Sequence, residues 1–202
     1  MLSIDVSGLV TAYTGATTHF SEQSTSGLES LIRAMADDPE LTDVRWAVYM
    51  LATVKHECAN RWQPIEEVGQ GKNKPYGAAV RVQDADGTVY TNTYFGRGYV
   101  QLTWKLNYDR VGRALGLGNA LVLHPEHALE ATMAYRILSY GMREGFFTGK
   151  KLADYIHDNV CDYVNARRII NGVDCAELIA GYARQFEILL EKSVKVATAA
   201  SA

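Results

Sequence analysis

The chain has 202 residues, of which 48% are hydrophobic and 21% charged, with a formal net charge of −3. That is the make-up of a globular protein with enough chain to bury a core without staples. It excludes a broad basic field for nucleic acid or an anionic lipid surface, and no apolar run reaches the length that spans a bilayer.

Residues 1–25 are rich in Ser, Thr and Gly and read as an irregular arm or a short first helix. The start, Met1-Leu2-Ser3-Ile4-Asp5-Val6, has neither the cationic region nor the apolar stretch of a signal peptide. Ser26 with Glu29 has the spacing of a capping box and predicts a helix to about residue 35, ended by Asp37-Asp38-Pro39. A strong helix is predicted over 43–58. Val44, Ala47, Val48 and Leu51 recur at helical spacing, and Trp46 and Met50 widen the apolar face. Such a helix runs through the centre of a domain and carries His56 and Glu57 at its C-terminal end.

Residues 59–79 lack periodicity and contain Pro64, Gly69, Gly71, Pro75 and Gly77, a long loop of the kind that carries function. Val80 to Gln83 and Thr88 to Thr91 alternate around Asp84-Ala85-Asp86-Gly87, which predicts a β-hairpin and the only sheet. Tyr94 to Tyr108 is an aromatic-rich run with Arg97 between Gly96 and Gly98. Thr103 is placed to cap a helix over 104–114. Apolar ring faces beside a few fixed polar groups suit a sugar-binding cleft. The plainer reading is a glycine turn feeding a core helix, with Trp104 and Tyr108 packed inside.

Gly116-Leu117-Gly118 breaks the chain. Pro125 opens a helix to about residue 143, and short helices are predicted over 150–158 and 160–168. Asp174 with Glu177 caps a last helix to about residue 192, with Leu178, Ile179, Tyr182, Phe186 and Leu189 inward. Residues 196–202 form a flexible tail. The three cysteines, Cys58, Cys161 and Cys175, do not make a disulfide framework, and none sits in a nucleophilic Cys/His signature. His56-Glu57-Cys58-Ala59-Asn60 opens like a zincin motif but has Asn where the second histidine belongs, so it is not a zinc site. His124 and His127 are spaced to share a metal, although a helix cap and a surface histidine account for them.

The segment Gly96-Arg97-Gly98…Gln101-Leu102-Thr103-Trp104…Asn107-Tyr108 resembles the signature of glycoside hydrolase family 19. The family holds plant-type chitinases and many bacteriophage endolysins. His56-Glu57 upstream and Ile170-Asn171-Gly172 downstream agree in order and spacing, so the resemblance runs from about residue 45 to 190. It implies a mainly α-helical, lysozyme-like domain with a small β-hairpin lobe, a cleft between lobe and body, and no cofactor or metal. Two departures stand out. The family often continues His-Glu with Thr/Ser-Gly-Gly, where this chain has Cys58-Ala59-Asn60. The arginine that chitinases carry shortly before a Gly-aromatic pair in the last helix has no counterpart, since Gly181-Tyr182 follows Ile179-Ala180.

Cleaving a glycosidic bond takes an acid for the leaving oxygen and a second carboxylate on the other face of the sugar. The resemblance makes Glu57 the acid. Burial at the end of an apolar helix, beside the negative end of its dipole, suits that role. The second carboxylate comes from the following loop: Glu66, with Glu67 as the alternative and Asp84 and Asp86 weaker. Family spacing favours Glu66 and leaves Glu67 to solvent or a surface ion pair. Thr103 sits where the family has Ser or Thr, with a hydroxyl able to hold water. His56, Tyr94, Arg97, Gln101, Trp104, Asn107 and Asn171 are expected along the substrate.

The resulting expectation is a monomeric peptidoglycan hydrolase of endolysin type. It cuts β-1,4 bonds by an inverting mechanism, without nucleic-acid or membrane partners and without a separate cell-wall-binding domain. It would be made in a bacterial cytoplasm and released through a holin to the periplasm. Hydrolysis of chitin, a lytic transglycosylase and a non-catalytic glycan-binding domain are the alternatives.

Overall fold

A helix that is apolar on every side must be covered on every side, and this requirement organises half of the molecule. The structure, a computed structural model, describes residues 4–17 and 20–199, with side chains to Glu191. The chain forms two compact units, Met1–Gln63 with Gly141–Ala202, and Pro64–Tyr140.

In the first unit, α1 (Val6–Gly15) is capped by Asp5, whose side chain accepts from Gly8 N at 2.9 Å. Of the two readings of residues 1–25, an irregular arm or a short first helix, the structure forms the short helix over Val6–Gly15. Helix α2 (Glu22–Ala36) starts earlier than the Ser26/Glu29 pair suggests, because Ser21 is extended and its hydroxyl accepts from Ser24 N at 3.0 Å. Helix α3 (Val44–Glu57) is capped by Asp43 and buried continuously from Ala47 to Val54.

Ahead in the chain, α7 (Ala176–Ala199) packs on α1 and α3. It lays Ile179, Ala180, Ala183 and Phe186 inward, while Leu178, expected inside, is 49% exposed. The alanines allow close helix approach, a preference that a count of large apolar residues misses. This helix also runs through 196–199, part of the expected tail, and residues 200–202 lie outside the described residues. Tyr13, Trp62 and Phe186 form an aromatic cluster with centroid separations of 5.0–5.8 Å.

Residues 150–168 are mostly not α-helical. They form 3₁₀ turns at Leu152–Asp154 and Asn165–Ile169 and a short strand pair, Ile156–His157 with Val160–Cys161. Trp46 Nε1 and Arg45 Nη1 donate to the Ile156 and Asp158 carbonyls at 2.9 and 3.0 Å, tying this pair to α3.

In the second unit, β1 (Ile65–Glu66) pairs antiparallel with β4 (Arg97–Gly98). The predicted hairpin is β2 (Val80–Gln83) with β3 (Val89–Asn92), in register Val80↔Asn92 to Gln83↔Val89. Among the described residues the hairpin is thus one of three two-stranded sheets rather than the only one. Helix α4 (Lys105–Ala114) and α5 (Ala120–Leu123) follow. The helix expected from Pro125 is instead a 3₁₀ turn, Pro125–Leu129, broken where Glu130 turns extended at ψ 128°. It is followed by α6 (Ala131–Glu144), and the boundary between the units falls within α6. Asn92 Nδ2 and the Tyr94 hydroxyl donate to the Val122 carbonyl at 2.9 and 2.8 Å, fastening α5 to the strands.

Among the described residues no helix is long and apolar enough to cross a membrane. No disulfide joins cysteines among the described residues; Cys58 is buried, and Cys161 and Cys175 are exposed.

Candidate active site

Glu57 ends α3, and 18% of its side chain is exposed. The sequence gives it an apolar setting at the negative end of a helix dipole, and the structure adds a cation. Arg167 Nη1 donates to Glu57 Oε1 at 2.6 Å, and Arg167 Nε donates to the Asp174 carbonyl at 3.0 Å. Arg167 is itself buried, with its side chain 4% exposed. The 3₁₀ turn that carries it is pinned by Asp162, whose carboxylate accepts from Asn165 N at 3.0 Å and Asn165 Nδ2 at 2.7 Å. A charge-assisted bond this short fixes one carboxylate oxygen, while Oε2 makes no hydrogen bond among the described residues. A buried arginine therefore does meet Glu57, from the 165–169 turn rather than from the last helix.

The backbone turns sharply after Glu57. Ala59 and Asn60 lie at φ 48° and 63°, where the resembled family often has two glycines. Asn tolerates this region better than most residues. Asn60 is also held by its side chain, since Oδ1 accepts from Lys55 Nζ at 2.8 Å and the Tyr13 hydroxyl at 3.1 Å. Lys55 Nζ also donates to the Tyr13 hydroxyl at 2.7 Å and stands 4.8 Å from the Tyr182 ring centroid. Desolvation holds the Lys55 ammonium below its ordinary pKa. Next to Glu57, His56 is half-buried. Asn171 is exposed, and its Oδ1 accepts from Gly172 N at 2.9 Å, the local turn that Asn-Gly favours.

In the second unit the two loop glutamates point to different partners. Glu66 is exposed, and among the described residues its Oε2 accepts only from Gln70 Nε2, at 2.8 Å. Glu67 is not left to solvent: Oε1 accepts from the Tyr76 hydroxyl at 2.8 Å and Oε2 from Gly96 N at 3.0 Å. Glu67 therefore braces the loop, and Glu66 presents the more open carboxylate.

Thr103 is not the helix cap. Trp104 holds that place at φ 70°, and Asn107 Nδ2 reaches back to the Thr103 carbonyl at 2.9 Å. The Thr103 hydroxyl is left without a hydrogen bond among the described residues. Trp104 is 47% exposed, with its ring 5.4 Å from that of Tyr76.

Two residues expected at the substrate are buried. Tyr94 is 1% exposed, with its hydroxyl on the Val122 carbonyl. Arg97 is 6% exposed. Its Nη1 donates to the Thr93 carbonyl at 3.0 Å and the Tyr108 hydroxyl at 3.2 Å, and its guanidinium lies 3.6 Å from the Phe95 ring centroid. These are scaffold contacts, and they explain the glycines on either side. Gly98 sits at φ 90°, and a Cβ there would meet the Ala128 carbonyl at 2.9 Å; one at Gly96 would lie 2.8 Å from Gln101 Oε1. Gln101 Nε2 donates to the Ile65 carbonyl at 3.0 Å, bracing β1 against β4.

His124, Glu126 and His127 present ligand atoms within 4.8 Å of one another and could hold a divalent ion. Arg167 is the contact that sequence reasoning missed. Its partner is 110 positions away, and nothing local separates it from Arg168.

The chain has the mainly helical, lysozyme-like fold of the family 19 chitinases. It is similar to chitinase C from Streptomyces griseus HUT6037 at 19% identity and a TM-score of 0.60, over 93% of this chain and 76% of that one. It is similar to a point mutant of chitinase C at 18% identity and a TM-score of 0.53, over 93% and 92%. A bacterial family 19 chitinase, described as differing from plant enzymes, matches at 20% identity and a TM-score of 0.53, over 92% and 84%. No protein-family model and no curated protein sequence matches the chain.

Proposed function

We propose that the chain is a glycoside hydrolase that cuts β-1,4 bonds between N-acetylated sugars of peptidoglycan. The observation that carries this reading is the acid at the end of α3. Glu57 is sequestered, with Oε1 fixed by buried Arg167, and Oε2 is free to carry the proton. Glu57 gives that proton to the glycosidic oxygen as the bond to the anomeric carbon breaks. Glu66, assisted by the Thr103 hydroxyl, takes a proton from the water that attacks the opposite face, so the product has inverted configuration. Trp104 offers an exposed ring face for a sugar, and His56, Asn107 and Asn171 offer polar groups. No step needs a metal or an organic cofactor.

The biological setting that fits is an endolysin-type enzyme, monomeric, made in a bacterial cytoplasm and released to the wall through a holin. A second reading, hydrolysis of chitin, is favoured by the chitinases that share the fold.

The test is turbidity loss and release of reducing ends from purified sacculi, beside cleavage of N-acetylglucosamine oligomers. Glu57→Gln is expected to abolish both with thermal stability read alongside, and activity above about a tenth of wild type would remove Glu57 from the mechanism. Cleavage of the oligomers alone would favour chitin. Release of 1,6-anhydro sugars would replace hydrolysis by transglycosylation. Binding of glycan without cleavage would make the domain a binding module.

A further inference from the structure

The second unit contains a cavity of about 690 Å³ that the proposed chemistry does not use. Arg81 and Val82 of β2, Lys105, Leu106 and Asp109 of α4, and Leu123 of α5 line it, and none of Glu57, Glu66 or Thr103 does. Its volume is that of a small-molecule site, for which about 300–1,000 Å³ is typical.

The charges on its wall are unequal in availability. Both oxygens of Asp109 accept from Arg113 Nε at 3.0 Å. Arg81 and Lys105 make no side-chain hydrogen bond or ion pair among the described residues. The cavity therefore shows two uncommitted cations above an apolar wall, in a chain whose net charge is −3. Leu106, on that wall, is 65% exposed although it sits in the first turn of α4. The complement is a small ligand with carboxylates and short apolar groups.

Chitin has no such group. Peptidoglycan carries one on alternate sugars: a lactyl ether extended by a short peptide with free carboxylates. Lys105, on the cavity wall, directly follows exposed Trp104 in the segment proposed to meet the glycan.

Resting on the peptidoglycan reading, we infer that this cavity is a stem-peptide subsite. Arg81 and Lys105 pair with the peptide carboxylates, and Val82, Leu106 and Leu123 take its alanine methyl groups. The subsite makes peptide-bearing strands the preferred substrate over bare glycan.

The experiment compares soluble peptidoglycan strands with and without their stem peptides, for the wild type and the Arg81→Gln/Lys105→Gln double variant. Solvent-exposed ion pairs are individually modest, so the expected preference is about 3–10-fold in KM with little change in kcat. The double variant should lose that preference. Equal KM for both strands in the wild type, or equal weakening of both in the variant, overturns the subsite. In parallel, a synthetic stem tetrapeptide, L-Ala–D-isoGlu–diaminopimelate–D-Ala, is titrated into the full chain and followed by amide NMR shifts. Shifts at β2 and the start of α4 that vanish in the variant are expected, and their absence in the wild type overturns the subsite. If neither strand is cleaved, the substrate reading has failed, while the titration still decides what the cavity binds.

Discussion

Replacing Arg167 with methionine isolates the contact that holds Glu57, the candidate acid. The change keeps much of the buried volume and removes two bonds, to Glu57 at 2.6 Å and to the Asp174 carbonyl at 3.0 Å. Removing one partner of a buried ion pair costs about 3–5 kcal/mol, because the other charge stays without compensation. The Glu57 side chain keeps 18% exposure, so the lower end applies, about 3 kcal/mol. With a urea slope of about 2 kcal/mol per molar, the unfolding midpoint should fall by about 1.5 M. Glu57→Gln is the second arm. Its amide can still accept from Arg167, but a charged hydrogen bond of about 1.5–3 kcal/mol becomes a neutral one of about 1 kcal/mol. In the double variant no carboxylate remains to be stranded. Its loss should therefore be smaller than the sum of the single losses by at least about 1.5 kcal/mol, well outside the ~0.5 kcal/mol scatter of independent sites. Urea unfolding followed by far-ultraviolet circular dichroism reads all four proteins. Additivity within that scatter would refute the pair as a coupled unit.

Glu66→Ala should lower kcat by at least about 10²-fold, the lower end of a general base's contribution. Glu67→Ala should instead destabilise by about 1–3 kcal/mol, through the bonds lost at Tyr76 and Gly96; the opposite pattern would exchange their roles. A thiol reagent should label two cysteines in the folded protein and the third only in denaturant, because burial pushes the Cys58 thiol up to about 12; three rapid reactions would contradict the packing. Burial also raises the phenols of Tyr13 and Tyr108 to about 12 and that of Tyr49 further. Groups with raised folded pKa values contribute stability that is complete below the unfolded value near pH 10 and is lost as pH rises toward the folded values. The rise in tyrosinate absorbance of these buried rings should coincide with loss of circular dichroism, and their titration in a folded protein would refute it.

The parts of the fold legible in the sequence were those with local causes. Ala47 to Val54 announced a helix buried all round, and Asp84 to Gly87 announced a hairpin turn. The end of α3 placed Glu57, and the glycines around Arg97 marked a backbone under close constraint. What stayed hidden depends on distant partners. Arg97 looked like a ligand group because nothing local reveals that Phe95 and Tyr108 enclose it. Arg167 carried no signal because its meaning lies in a carboxylate from the far side of the second unit's sequence. The start of α2 was misplaced because Ser21, Ser24 and Ser26 offer similar caps, and only the backbone conformation at Ser21 chooses among them.

The first unit is assembled from both ends of the chain, and this fixes an order of events during synthesis. A ribosome releases α3 early, with its all-round apolar surface, and α7 last. Between them the whole of Pro64–Tyr140 must emerge, and that contiguous stretch can close its strands and α4 on local contacts. The first unit cannot close until α7 arrives, so its loop-closure entropy is paid late and its apolar helix waits uncovered. The candidate acid is therefore completed only after the turn bearing Arg167 has been made. A nascent chain that stalls before α7 leaves the apolar face of α3 uncovered and open to aggregation.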